Sequence, residues 1–131
     1  MIGLDTNVLV RYIMQDDVKQ AAKATKLMEG LTADAPGFIS LVSVVELAWV
    51  LSSCFDLTRE QISQALDVLL RSKQLVVDQA EPVVRALRAY RTGNADFADC
   101  LIERTAAAAG CTQTMTFDVT ASKAAGMTLI H

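Results

Sequence analysis

Five carboxylates stand where a largely apolar chain has least reason to place them. Asp5 directly follows the short apolar run Met1–Leu4. Glu46 interrupts SLVSVVELAWVL, where nearly every neighbour is apolar. Asp96 and Asp99 flank the apolar pair Phe97–Ala98 at the entrance of a segment rich in Ala, Leu and Ile that Gly110 closes. Asp118 directly follows TMTF. The other acids, among them Asp16, Glu29, Asp34 and Glu81, fall in polar or helix-end contexts.

Each of the five also has a purely structural reading. Asp96 can cap a helix by accepting a hydrogen bond from the amide of Asp99, whose own charge suits the positive helix end. Asp5 and Asp118 can be solvated strand ends or caps. Glu46 can close a capping box with Ser43, since S-V-V-E fits the pattern. Capping gives no reason for these acids to converge. An α/β sheet, however, brings the C-terminal ends of its strands and the helix starts that follow them to one crevice. All five acids hold positions of that kind.

Convergence is costly: two carboxylates about 4 Å apart repel by roughly 4 kcal/mol at an effective dielectric near 20. The single histidine, His131, is the last residue, which removes Ser-His-Asp triads and His-rich metal sites. A divalent cation is the natural compensation, and all-oxygen ligation suits Mg²⁺ or Mn²⁺. Such a cation activates water and stabilises charge on a transferring phosphoryl group. Hydrolysis of a phosphodiester is the chemistry this inventory can perform.

The rest of the chain must position these acids. Its 131 residues suit a single domain, residues 1–131, and 52% hydrophobic residues suffice for a full core. No apolar run is long enough to span a membrane, and MIGLDTNVLV lacks the basic start of a secretory signal. Cys54, Cys100 and Cys111 form no C-x-x-C and sit among apolar neighbours, which suits buried thiols in the cytoplasm. The net charge of −3 offers nucleic acid no global attraction. Basic residues do recur along predicted helices, Arg85, Arg88 and Arg91 at spacing three and Lys19, Lys23 and Lys26 at spacings of four and three.

Strands are predicted at Met1–Leu4, Gly37–Ser40, Gln74–Val77, Gln113–Phe117 and Met127–Ile130. Helices are predicted at 6–15, from Asp17 to 29, at 41–55, from the capping box Thr58-Arg-Glu-Gln61 to Arg71, around Pro82 to Gly93, at 100–109 and at 120–125. Strands separated by helices imply parallel pairing through right-handed crossovers. The expected fold is a three-layer α/β/α domain with a central parallel sheet.

MIGLDTNVLVRYIMQDD, SVVELAWVL, DFADCLIERTAAAAG and TFD, in this order, resemble the PIN-domain family, and in particular the VapC-type toxins of bacterial toxin–antitoxin pairs. The resemblance spans residues 1 to 130. It implies a three-layer α/β fold and an Mg²⁺- or Mn²⁺-dependent ribonuclease. It implies that Asp5, Glu46, Asp99 and Asp118 are the catalytic, metal-binding acids, with Asp96 an additional metal-site acid. Thr6, Asn7 and Thr116 match polar positions beside them. Val119 departs from the pattern, because related toxins often carry a basic residue there. The resemblance further implies an RNA substrate, a homodimer and a cognate antitoxin seated on apolar surface, for which Val8, Leu9, Tyr12, Ile13, Leu47, Trp49 and Val50 are candidates.

Two other classes are weighed beside it. A haloacid-dehalogenase-like phosphatase needs an acid two residues after its nucleophile, and position 7 is Asn. A non-catalytic α/β interaction module would be marked by loss of an acid, and every acid is present.

Overall fold

The computed structural model describes residues Met1–His131. Their internal contacts fall into two compact units, Met1–Asp78 and Gln79–His131. The fold is a helix-rich α/β arrangement in which every strand pair is parallel.

The first unit runs β1 (Ile2–Gly3), α1 (Thr6–Met14), α2 (Val18–Glu29), β2 (Gly37–Ile39), α3 (Leu41–Ser53), α4 (Arg59–Arg71) and β3 (Leu75–Val77). The sheet order is β1-β2-β3, so each parallel connection is a pair of helices. Ile2 pairs with Gly37 and Gly3 with Phe38, and Gly37 to Ile39 run beside Leu75 to Val77. Gly37 sits where a side chain has no room, since a Cβ would stand 2.7 Å from Leu4 Cδ1 and 2.9 Å from Leu31 Cδ1. The core is built from Leu9, Ile39, Leu47, Leu51, Ile62 and Leu66, all essentially solvent-free.

Helix starts in this unit follow local chemistry. Asp17 Oδ1 accepts from the Gln20 amide to open α2. Thr58 and Gln61 form the expected capping box on α4, with both reciprocal bonds present. The start of α3 differs from expectation. Ser40 is its cap and accepts from the Ser43 amide at 3.2 Å, so no Ser43–Glu46 box forms and Glu46 lies inside the helix. A capping box needs its Ser in extended backbone just outside the helix, whereas Ser43 is already helical.

The second unit runs α5 (Ala80–Thr92), α6 (Phe97–Ala108), β4 (Met115–Thr116), α7 (Val119–Ala124) and β5 (Thr128–Leu129). Helices α5 and α6 pack as a hairpin over Val83, Ala86, Leu87, Phe97 and Leu101. Tyr90 and Phe97 meet edge to face, with ring centroids 5.6 Å apart. Strands β4 and β5 pair as Met115 with Thr128 and Thr116 with Leu129, in a ladder separate from β1-β2-β3.

Two further expectations are corrected. Cys100 is buried, but Cys54 and Cys111 are exposed, because each falls just beyond a helix end; none of the three is in a disulfide. Of the apolar stretch around Trp49, Leu47 is buried while Trp49 is 63% exposed, since the two point to different faces of α3. No helix is long and apolar enough to cross a membrane.

Replacing Thr58 with Ala removes the acceptor for the Gln61 amide and leaves an orphan donor at the start of α4. The expected loss of stability is about 1 kcal/mol, read as a lower urea midpoint at unchanged slope.

Candidate active site

Three of the five acids are helix caps. Asp5 Oδ1 accepts from the Thr6 amide at 2.8 Å at the start of α1. Asp118 Oδ1 accepts from the amides of Thr120 and Ala121 at 2.8 and 3.2 Å at the start of α7. Asp96 Oδ1 accepts from the Ala98 amide at 3.1 Å at the start of α6, one residue short of the expected Asp99 amide. An aspartate side chain reaches either the second or the third amide of the first turn, and here the second is nearer. In each case Oδ1 makes the cap, which fixes the carboxylate and leaves Oδ2 for another partner.

Glu46 and Asp99 cap nothing. Glu46 lies on the outer face of α3 between Val42 and Trp49, which are 76% and 63% exposed. The opposite face of α3 buries Val44, Leu47, Ala48 and Leu51. Within the first unit, Asp5 and Ser40 leave the sheet beside one another, because Leu4 continues the β1–β2 ladder by donating to the Phe38 carbonyl at 2.9 Å. Helices α1 and α3 therefore start from neighbouring strand ends and pack together. Thr6 is buried and Asn7 is exposed beside Asp5.

Asp99 is half-buried in the first turn of α6. Its carboxyl is held above the usual aspartate range, first by burial and then by the negative charges of Asp96 and Asp118. A helix N-terminus by itself favours an ionised carboxylate and acts in the opposite sense. Burial and like charge act against that preference. The second unit thus gathers three carboxylates closely enough to work against one another.

That donor set fits a hard divalent cation. The ligating atoms on offer are carboxylate oxygens, two of the three carboxylates are held by caps, and the mutual repulsion is the kind a cation relieves. No three Asp, Glu, His or Cys side chains are set at ligating spacing around a common point.

The basic stripe on α5 is exposed at Arg85, Arg88 and Arg91, and Arg85 is tied to Glu81 at 2.9 Å. Phe117 has no role in the sequence-based expectations, yet it stands 79% exposed beside Asp118. Its signal in the sequence is an aromatic at a strand end between two polar site positions. Val119 is 51% exposed and brings no positive charge to this turn.

The model of the PIN domain matches residues 2–127 of the chain. No curated protein matches it.

The raised carboxyl has a measurable consequence. A carboxyl that binds its proton more tightly when folded costs stability at pH above its folded value, and that cost vanishes below the ordinary value of 3.8. Asp99→Asn is therefore expected to melt higher than the parent chain at neutral pH without metal, with the gap closing as pH falls through the carboxylate range. A carboxylate acting only on the helix dipole would give the reverse, a loss of about 0.3–1 kcal/mol.

Proposed function

The chain belongs to the PIN-domain family, whose members are generally metal-dependent nucleases, and we propose that it is an Mg²⁺- or Mn²⁺-dependent endoribonuclease acting as the toxin of a type II toxin–antitoxin pair. The observation that carries the reading is the raised carboxyl of Asp99 beside Asp96 and Asp118. Acids gathered at a cost to stability call for a cation and a use for it.

In this reading Asp5 and Glu46 of the first unit, and Asp99 and Asp118 of the second, are the catalytic, metal-holding acids, and Asp96 is a further metal-site acid. When bound, the cation supplies Lewis acidity toward water and toward a phosphate oxygen. The protein's part is orientation. The backbone amides of Thr6, Ala98, Thr120 and Ala121 hold three of the carboxylates at helix starts. Thr116 Oγ1 accepts from the Asp118 amide at 3.0 Å and fixes the turn that carries that acid.

A cognate antitoxin and a second copy of the chain are the proposed protein partners. The first unit has an open, mainly apolar groove of about 540 Å³ lined by Ile2, Leu27 and Leu31, with Lys23 and Lys26 among its lining residues. An apolar segment carrying acids would match it. The exposed Val42 and Trp49 on α3 are further apolar surface for such contacts.

Incubation with single-stranded RNA should give internal cleavage that EDTA abolishes and Mg²⁺ or Mn²⁺ restores, with Asp99→Asn and Glu46→Gln inactive. Cleavage that survives exhaustive chelation would falsify the metal-dependent mechanism.

Replacing Arg85, Arg88 and Arg91 together with Ala should weaken RNA binding and flatten its dependence on salt. Each phosphate that the stripe no longer neutralises reduces the steepness of log K against log salt by about 0.7 for single strands. An unchanged slope would make the stripe a solvated face.

A further inference from the structure

We propose that Phe117 is a substrate-positioning residue that stacks on an unpaired base of the RNA; the inference rests on the ribonuclease reading above. Phe117 is among the most exposed large apolar side chains of the protein, at 79%, and it directly precedes Asp118. Its exposure is not that of a loose loop. On one side Thr116 accepts from the Ile130 amide at 2.8 Å in the β4–β5 ladder. On the other, the Asp118 amide donates to Thr116 Oγ1 at 3.0 Å, and Asp118 is fixed in turn by the amides of Thr120 and Ala121. The backbone thus presents an aromatic ring to solvent from a turn tied at both ends.

Charge selects the part of the ligand that this ring meets. The chain carries a net charge of −3, and Asp96 and Asp118 both act on Asp99 nearby. Without a cation such a surface repels phosphates, whereas the flat face of a base carries no charge to be repelled. Val119, next in sequence, is apolar and supplies no cation to hold a phosphate. Stacking gives a binding contribution that needs no positive charge and works with any base, because every base has a π-face. A backbone already tied on both sides of the ring need not be ordered on binding.

The test uses the full-length chain in an Asp99→Asn background, so that RNA is bound without being cut, with a fluorescent single-stranded oligoadenylate as probe in Mg²⁺. Phe117→Ala should bind about 5- to 150-fold more weakly, the span that base–aromatic stacking covers. Phe117→Trp should bind as well as the parent. Phe117→Leu, which keeps apolar bulk without a ring, should resemble Phe117→Ala. In the cleaving background the Ala variant should show a raised KM with kcat little changed. Thermal melts of all variants should coincide, since the side chain is exposed. Affinity of Phe117→Ala or Phe117→Leu within about twofold of the parent would overturn the proposal. So would loss of self-association in the Ala variant at unchanged RNA affinity, which would make the residue a protein contact. A parent chain that neither binds nor cuts RNA would overturn the ribonuclease reading and this inference together, whereas a parent that cuts RNA as well without Phe117 would overturn this inference alone.

Discussion

A carboxylate that caps a helix commits one oxygen to the backbone and keeps the other, and the candidate chemistry of this protein depends on that division. Asp5, Asp96 and Asp118 each satisfy amides at the first turn of a helix through Oδ1. The capping bond aligns the carboxylate, and its second oxygen remains able to take a ligand. Structural and chemical readings of these residues are therefore compatible. The same short side chain starts the helix and can hold a cation.

The balance is less comfortable at Asp99. A first-turn acid gains from the helix end, by about 0.3–1 kcal/mol. Burial and the charges of Asp96 and Asp118 push the other way and raise its carboxyl. Sites that are held together at a cost to folding are where function is to be sought. The family match covers residues 2–127, and the local balance of charge at Asp99 lies within that span.

Exposed apolar groups mark the remaining surfaces of interest. Trp49 and Val42 flank Glu46 on the outer face of α3, and Phe117 adjoins Asp118. In each case an apolar side chain in water sits next to a candidate acid. Single exposed apolar residues are ordinary.

Periodicity and local chemistry carried most of the architecture. The five strands, the seven helices, the Thr58 capping box and the stops at Gly30 and Gly93 all follow from signals a few residues wide, and parallel pairing follows from their alternation. The five candidate acids stand out in the sequence because each is a charge at or inside an apolar element, and the structure sets Asp96, Asp99 and Asp118 close enough to interact. What local signals left open was decided by three-dimensional placement. Ser40 rather than Ser43 caps α3, because the strand β2 ends there and only Ser40 keeps extended backbone. Cys54 and Cys111 are exposed despite apolar neighbours in sequence, because burial depends on which face of an element meets the core. The carboxyl of Asp99 is raised by burial, by Asp96 and also by Asp118, which lies beyond the end of α6 and β4 in the chain and is brought near by the fold of the second unit. Coulomb interactions follow distance in space, and a chain read in order does not contain that distance.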